Sequence, residues 1–196
     1  MLIFILFISG FLSGALPFSY WIGRIAGHSD IRQYGDGNPG AVNTFKAAGF
    51  RAGALAILLD YLKGTIPIGL ANFVFEVEGL GLILVALSPI LGHAFSPFLG
   101  FRGGKAVAVT FGVWTGLMLW EGPSVFGIAL GFFVLVQKID SWAVILAMMT
   151  LLVYLGLRHS ESDFLFIGGG NLIILTWKHL SDLKQPPLFR HWLRKY

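Results

Sequence analysis

Apolar stretches recur along the whole chain, and only short polar breaks separate them. Of its 196 residues, 56% are hydrophobic and 12% are charged, whereas a soluble domain carries about twice that charged fraction. A chain of this length has too little interior to hide so much apolar surface from water, so lipid must cover the excess. Strict two-residue alternation is absent, which favours helices over a barrel. The sequence therefore predicts an all-α integral membrane protein with a single domain, residues 1–196.

Seven of the stretches have the composition of membrane-spanning helices. They cover Leu2 to about Ile22, about Ala52 to Phe75, Leu80 to about Leu99, about Ala106 to Trp120, roughly Pro123 to Val136, roughly Trp142 to Leu157, and roughly Phe164 to Trp177. The first lacks a basic start, so we interpret it as a retained helix and not a cleaved signal peptide. The last four are shorter than the roughly 20 residues that a span needs. A five-span bundle with two interfacial segments is the alternative.

The basic residues divide unequally between the two sides of this predicted bundle. With seven spans, one side receives Arg24, Arg32, Lys46, Arg51, Arg102, Lys105, Lys138, Lys178, Lys184, Arg190, Arg194 and Lys195. The other side receives Arg158 and the acidic residues Glu76, Glu78, Glu121, Glu161 and Asp163. Because Lys and Arg are enriched in cytoplasmic loops, the basic loops and the basic tail, residues 183–196, are predicted to be cytoplasmic. The N-terminus is then extracytoplasmic.

The first cytoplasmic loop is rich in glycine around residues 35–43. Gly35, Gly37 and Gly40 allow positive φ and close backbone approach, and successive amides in such turns form anion-binding nests. A helix starting near Asn43 would point its positive N-terminal end at the same place. The alternative is an ordinary tight connection, because Gly, Asn, Asp and Pro are common in turns. The glycine and lysine spacing does not match a P-loop.

The third loop places Gly103 and Gly104 directly before Lys105. Backbone amides and an ammonium group can converge there on one anion, and lysine binds phosphate as a mobile point charge. Simple membrane anchoring explains the basic residues of this loop but does not need two glycines beside them. The segment therefore predicts a phosphate-binding site.

Several other polar residues are candidates for chemistry or for bracing. Asp60 and Lys63 lie within the second predicted span at i,i+3 spacing, so they share a helix face and can pair. A structural brace and a direct site role are both compatible with that pattern. His93 and His179 could each act as a base near neutral pH, and Ser141 could bind at the site or cap a helix. Cysteines are absent and no His/Asp/Glu group has ligand spacing, so no metal is expected.

Four blocks together resemble one family. Residues 35–43 are similar to Gly-Ser-Gly-Asn-x-Gly-Ala-Thr-Asn, and Gly92-His93 with residues 101–108 is similar to Gly-His with Phe-Lys-Gly-Gly-Lys-Gly-Val-Ala. Residues 59–64 resemble Leu-Asp-x-x-Lys-Gly, and Lys178-His179 with Asp182 resembles Arg-His followed by Asn. In order and spacing these blocks resemble the bacterial acyl-phosphate:glycerol-3-phosphate acyltransferases of the PlsY type, whose fold is a seven-helix membrane bundle.

The resemblance implies transfer of a fatty acyl group from acyl phosphate to glycerol-3-phosphate in the bacterial inner membrane. The product would be lysophosphatidate, the first intermediate of phospholipid synthesis. No metal or organic cofactor and no nucleic acid is implied, and the leaving phosphate itself can accept the proton. Besides the two substrates and membrane lipid, the soluble enzyme that makes acyl phosphate is an expected partner.

The resemblance also assigns roles to individual residues. Lys105, His179 and Ser141 would carry the catalytic functions, with Asp60, Lys63 and His93 bracing the site. Substrate and phosphate would be bound by Asp36, Gly37, Asn38, Gly40, Asn43, Lys46, Gly103, Gly104, Lys105 and Asp182.

The chain departs from the family pattern at several places. Asp36 replaces serine, Val42 threonine, Lys46 arginine, Ala106 glycine and Asp182 asparagine. Lysine cannot make the bidentate fork of arginine to phosphate, and the two carboxylates add negative charge beside an expected anion site. One alternative is therefore an enzyme of the same fold that acylates another polyol phosphate. A non-enzymatic lipid or anion transporter is the other, although no internal repeat of the transporter kind is evident.

Overall fold

Eight α-helices form a membrane bundle in the computed structural model, which describes residues 1–159 and 162–190. They are α1 Leu2–Ala15, α2 Phe18–Gly27, α3 Ala41–Gly69, α4 Gly79–Ala94, α5 Val107–Met118, α6 Glu121–Val136, α7 Asp140–Arg158 and α8 Ser162–Leu183. Short 3-10 turns cover Ile31–Gln33 and Pro97–Leu99, and a π-helical turn, Leu70–Val74, extends α3. The described residues contain no strand and only one isolated bridge, between Gln137 and Phe189. The predicted all-α class is confirmed.

Four helical segments of the described chain are long and apolar enough to cross a membrane. They are Leu2–Gly27, Ala41–Val74, Gly79–Leu99 and Asp140–Arg158, and α5 and α6 are shorter apolar helices. Each of the seven predicted stretches coincides with helix. The number of spans stays a prediction, as does the membrane side of each loop. Glu161, Arg194 and Lys195, which the charge argument also used, lie outside the described residues.

The first predicted span is not one continuous helix, contrary to the sequence-based boundaries. Helix α1 ends at Ala15 and α2 begins at Phe18, because Pro17 has no N–H to continue the ladder. The freed carbonyls find side-chain donors inside the bundle: Ser96 Oγ donates to the oxygen of Ala15 at 2.6 Å, and Lys63 Nζ donates to that of Leu16 at 2.8 Å. A backbone break is tolerated at membrane depth where the protein satisfies it in this way.

The second predicted span also begins earlier than about Ala52, because α3 starts at Ala41. Its axis is interrupted at Gly49, whose φ of 78° and ψ of −176° are not helical. The expected helix start near Asn43 is therefore confirmed, and the apolar stretch that begins at about Ala52 follows the interruption. The interruption separates a short segment that follows the first loop from the apolar part of the helix.

The core lies around α5, which packs against α3 on one side and is joined to α8 by side-chain hydrogen bonds on the other. Gly112 and Gly116 face α3 so closely that an added Cβ would overlap its backbone, which is the small-residue packing of membrane helices. On the α8 side, Trp114 Nε1 donates to Asn171 Oδ1 at 3.2 Å, and Asn171 Nδ2 donates to Thr110 Oγ1 at 3.0 Å. All three of these polar side chains are fully buried. Helix α5 is thereby fixed at the centre, and so is the loop that precedes it.

Candidate functional site

Two carboxylates, one ammonium group and one hydroxyl meet where four distant segments come together. Lys105 Nζ lies 2.8 Å from Asp36 Oδ2 and 2.6 Å from Asp182 Oδ2. Ser141 Oγ donates to the same Asp182 oxygen at 2.6 Å. The loop before α3, the loop before α5, the first turn of α7 and the last turn of α8 thus meet at one end of the bundle. The structure brings together four of the residues that the sequence had singled out.

The loop before α3 builds its own support for Asp36. Gly35 and Gly37 have φ of 57° and 73°, the left-handed region that favours glycine. This turn lets Asp36 Oδ1 accept hydrogen bonds from the Asn38 N–H at 3.1 Å and from Asn43 Nδ2 at 3.0 Å. Asn43 Nδ2 also donates to the Asn38 carbonyl at 2.9 Å. Asp36 is therefore held in place independently of Lys105.

Gly103 and Gly104 allow the loop before α5 to lie directly on the end of α4. An added Cβ at Gly103 would overlap the His93 carbonyl and the Ala94 backbone, and one at Gly104 would overlap the His93 imidazole. The Gly104 N–H donates to the His93 carbonyl at 3.1 Å. The sequence predicts that these glycines bind an anion. The structure adds that the loop can pack so closely on His93 only because both residues are glycine.

The same loop contains strained backbone. Phe101 and Ala106 have φ of 62° and 63°, a conformation that L side chains rarely adopt. Ala106 stands where the family pattern has glycine, which adopts this conformation without cost. Strained residues on both sides of Lys105 persist only where the surrounding structure holds them, and such strain is concentrated at functional sites.

A cavity of about 380 Å³ opens beside Lys105. Cations and carboxylates line one part of it, through Lys105, Lys178, Arg102, Asp36 and Asp182. Aromatic side chains line the other part, through Phe95, Phe101 and Trp177, of which Phe101 and Trp177 are each 64% exposed at the surface of the bundle. Gly37, Asn38, Pro39, Gly103 and Ser181 complete the lining. This volume is of the size that small-molecule sites have.

The charges at this cavity stabilise one another. Burial lowers the pKa of the Lys105 ammonium, but hydrogen bonds to Asp182 and Asp36 raise it more, so the pKa lies above its ordinary value. Burial raises the pKa of the Asp36 carboxyl, whereas Lys105 and the Asn38 N–H lower it to below its ordinary value. Near neutral pH both groups are therefore charged, and Lys105 is a cation that an anion can bind.

Lys46 and His179 lie apart from this cavity. Lys46 is exposed, and its Nζ lies next to Gly35, on the side of the loop where the amide oxygen of Asn43 is buried. That oxygen accepts no hydrogen bond from the described residues. The His179 ring is buried, with Nδ1 2.7 Å from the Leu175 carbonyl of the same helix. Their roles toward a substrate stay predictions.

Asp60 and Lys63 pair within the bundle, as their spacing predicted. Lys63 Nζ lies 2.7 Å from Asp60 Oδ1, and Ser19 Oγ donates to Asp60 Oδ2 at 2.5 Å. His93 Nδ1 lies 4.0 Å from Asp60 Oδ1. The adjoining cavity holds only about 10 Å³, roughly the space of one water. This geometry, with the hydrogen bond from Lys63 to the Leu16 carbonyl, favours a structural role over a direct role at the site. The pair would then brace α1, α2, α3 and α4 against one another.

Sequence reasoning missed Lys178 and Arg102 as site residues. Lys178 lines the cavity, donates to the Ala94 carbonyl at 2.9 Å and lies 5.4 Å from the centre of the Phe95 ring. Its position directly before His179, where the family block has arginine, was the available signal. Arg102 was counted only as a membrane anchor, although it precedes Gly103 and lines the cavity. Neither pairs with a carboxylate among the described residues.

The residues that line the cavity do not form a metal site. No group of three His, Cys, Asp or Glu side chains with metal-binding geometry occurs within residues 1–159 and 162–190. The two carboxylates at the cavity instead have lysine as their cation. The cavity lining has three cations, Arg102, Lys105 and Lys178, against these two carboxylates, and this excess suits binding of an anion.

Comparison with known proteins gives consistent matches over almost the whole chain. A family model described as glycerol-3-phosphate acyltransferase matches residues 4–186. Glycerol-3-phosphate acyltransferase 1 of Thermotoga maritima is 40% identical over 199 residues, covering 94% of this chain and 98% of the relative. A glycerol-3-phosphate acyltransferase of Lactococcus lactis subsp. cremoris is 33% identical over 192 residues, covering 94% and 90%.

Two solved structures share the fold. Both are crystal structures of PlsY (YgiH), described as an integral membrane glycerol 3-phosphate acyltransferase. The glycerol 3-phosphate form superimposes with a TM-score of 0.86 at 27% identity and covers 99% of this chain and 98% of that one. The lysophosphatidic acid form gives a TM-score of 0.84 at 28% identity, covering 94% and 91%.

Proposed function

The chain belongs to the glycerol-3-phosphate acyltransferase family, and we propose that it draws the acyl group from acyl phosphate. Transfer to glycerol-3-phosphate makes it a membrane acyltransferase that forms lysophosphatidate. The observation that supports acyl phosphate as the donor is a cavity with three cations, Lys105, Lys178 and Arg102, next to exposed aromatic side chains. A donor phosphate and an acceptor phosphate both need cations, and a fatty acyl tail needs an apolar surface that is continuous with lipid.

The step itself needs no covalent enzyme intermediate. A hydroxyl oxygen of glycerol-3-phosphate attacks the carbonyl carbon of the acyl phosphate, and the bond between that carbon and the phosphate oxygen breaks. Inorganic phosphate leaves and takes the hydroxyl proton. The protein then has to align the two substrates and stabilise the charge on the leaving phosphate, and both effects are large in a preorganised site.

We assign Lys105, with the backbone of Gly103, to a substrate phosphate, whereas Gly104, whose N–H donates to the His93 carbonyl, holds the loop in place. Lys178 and Arg102 provide the remaining positive charge at the cavity. Asn38 and Asn43 shape the first loop, because Asn43 Nδ2 donates to the Asn38 carbonyl. Gly37 and Gly40 give that loop its turn and the start of α3.

The remaining assignments concern Ser141, Asp182, Lys46 and His179. Ser141 and Asp182 orient Lys105, because Ser141 Oγ and Lys105 Nζ both donate to the same Asp182 oxygen. Lys46 lies beside Gly35 at the entrance to the first loop, where it can contact the acceptor phosphate. His179, buried near the end of α8, helps to hold the acceptor, glycerol-3-phosphate. The tail of the acyl chain lies along Phe95 and Trp177 toward lipid.

The site faces the cytoplasm of a bacterial cell in this proposal, and the membrane is the inner one. The soluble enzyme that produces acyl phosphate is the expected partner, since a labile donor benefits from direct delivery. Because the chain has no cysteine, single cysteines at Ser29 and Glu78 can be labelled with an impermeant thiol reagent in intact and opened cells. Labelling of the Glu78 position alone in intact cells supports this orientation, and labelling of the Ser29 position in intact cells contradicts it.

The donor test uses purified protein in detergent with glycerol-3-phosphate and either acyl phosphate or acyl-CoA. We expect lysophosphatidate and inorganic phosphate from acyl phosphate alone, and turnover with acyl-CoA alone would refute the donor assignment. Lys105→Ala should reduce turnover by more than about 100-fold, as for loss of a transition-state donor. Lys138→Ala removes an exposed lysine of the same membrane face and is the matched control. A parallel screen of other polyol phosphates tests the acceptor.

A further inference from the structure

The first loop and the last turn of α8 both place a carboxylate on the ammonium group that is assigned to phosphate. We propose that Asp36 and Asp182 compete with the substrate phosphate for Lys105, and that they thereby determine how tightly this enzyme binds its anionic substrates. The inference rests on the proposed function, because it concerns the anion site of the same cavity. It goes further by giving the two acidic residues a role in specificity.

The cluster of Asp36, Lys105 and Asp182 disfavours an incoming anion by its charge. Two carboxylates within 2.8 Å of one ammonium leave the group with a net negative charge. An ammonium has three N–H donors, and the carboxylates occupy two of them. A phosphate that approaches Lys105 must therefore replace a carboxylate or accept its repulsion at short range, where like charges disfavour each other.

The carboxylates have their own supports, so lysine is the part that moves. Asp36 keeps its hydrogen bonds from Asn38 and Asn43 when Lys105 leaves. Asp182 keeps the hydrogen bond from Ser141 at 2.6 Å and a longer one from Ser181 at 3.3 Å. Lysine carries its charge on a flexible four-carbon stem. Lys105 can therefore exchange its partner without a change in the backbone.

Other cations at the cavity can receive an anion before Lys105 is released. Arg102 and Lys178 line the same space and have no carboxylate partner within residues 1–159 and 162–190. A phosphate can contact them first, and its charge then favours transfer of Lys105 from the carboxylates to the substrate. The family pattern has neutral serine and asparagine at the positions of Asp36 and Asp182. With neutral side chains there, the lysine would be available to phosphate at once.

Calorimetric titration of the purified, detergent-solubilised protein with inorganic phosphate at about pH 8 tests the proposal. Lys105 and both carboxylates are charged under this condition. We expect Asp36→Ser and Asp182→Asn each to bind phosphate about 5–20-fold more tightly, which is a gain of about 1–2 kcal/mol in binding free energy. The double variant should bind more tightly than either. Asp30→Asn is the matched control, because that carboxylate lies in the same loop and pairs with Arg32.

The gain must also depend on Lys105. Adding Lys105→Ala to the double variant should remove it, and a gain that persists would overturn the proposal. Unchanged or weaker phosphate binding in both single variants would overturn it as well, because the carboxylates would then position the lysine for the anion. A thermal unfolding transition in each variant shows that it is folded, and the two substitutions lie on separate elements. Binding is measured without donor, so a failure of the phosphate-binding prediction is distinguishable from a failure of acyl-phosphate turnover, which would refute the proposed function.

Discussion

Replacing Gly104 with alanine tests how the loop before α5 is held on α4. The added methyl group would lie 3.1 Å from Cε1 and 3.2 Å from Cδ2 of the His93 ring, and closer still to Nε2. Real Cβ atoms essentially never approach another atom as closely as this one would approach Nε2, so either the imidazole or the loop must move. His93 is only 9% exposed and lies next to the buried Asp60. The ring therefore has little room to yield.

The expected cost follows from that geometry. Overpacking a filled interior destabilises by about 1–3 kcal/mol, which for a chain of this size lowers the melting temperature by roughly 2–4 °C per kcal/mol. A shift of the loop also moves Lys105, the next residue, away from Asp36 and Asp182. We therefore expect loss of acyl transfer together with the loss of stability.

A double-mutant cycle with His93→Ala isolates the contact. Removing the imidazole while keeping the His93 carbonyl, which accepts the Gly104 N–H, makes room for the methyl group. In the His93→Ala background, Gly104→Ala should cost at least about 1 kcal/mol less than alone, a coupling typical of residues in contact. Unfolding in detergent and turnover are the two readouts.

Two further glycines serve as controls for the cycle. At Gly103 the obstacle is the backbone of His93 and Ala94, so Gly103→Ala should stay costly in the His93→Ala background. At Gly131, within α6, an added Cβ meets nothing within 4 Å, and alanine there should stabilise by about 0.5–1 kcal/mol. Equal costs of Gly104→Ala in both backgrounds would refute the reasoning.

Three further predictions concern strain, the buried pair and acid stability. Ala106→Gly should change the free energy of unfolding by less than about 0.5 kcal/mol, because relief of the left-handed backbone offsets the lost methyl group. The control, Ala129→Gly within α6, should cost at least about 1 kcal/mol. Thermal unfolding of both variants checks this, and equal losses would contradict it. Asp60→Asn should lower the free energy of unfolding by about 3–5 kcal/mol, because it leaves the Lys63 ammonium without its carboxylate. Adding Lys63→Met should recover part of that stability, and no recovery would show that the pair is not the brace. Arg32 lowers the pKa of Asp30 to about 2, so the ion pair contributes its full stability above the ordinary value of 3.8 and loses it as pH falls through 2. Asp30→Asn should lower stability by less than about 1 kcal/mol at neutral pH and by progressively less as pH falls from 3.8 through 2, as unfolding curves across this range will show.

Much of the site was predictable because its blocks are contiguous in sequence. Gly103, Gly104 and Lys105 are neighbours, and so are the residues of the first loop, so local chemistry indicated an anion site without knowledge of the fold. Lys178 was harder to identify, because one lysine at the end of an apolar stretch is also what a membrane anchor looks like. Its role at the cavity depends on α8 lying beside α4, which brings Lys178 to the Ala94 carbonyl.

Helix boundaries were also hard to predict, because they depend on contacts between distant segments. Apolar composition placed a helix over the first stretch, but Pro17 interrupts it, and the break is stable only because Ser96, in the loop after α4, and Lys63, in α3, reach the freed carbonyls. A sequence pattern contains the proline but not its remote donors. The buried Asp60–Lys63 pair, left open between two roles by its spacing, is explained by this break and by Ser19.

The sequence by itself determined the membrane class, the helical architecture and the predicted side of the basic loops. Composition and charge act residue by residue on transfer between water and lipid, so they can be read along the chain. Only the tertiary structure decided that Asp36 and Asp182, 146 positions apart in the numbering, both contact Lys105. Such a contact depends on how three segments pack at one end of the bundle, and neither spacing nor composition contains that information.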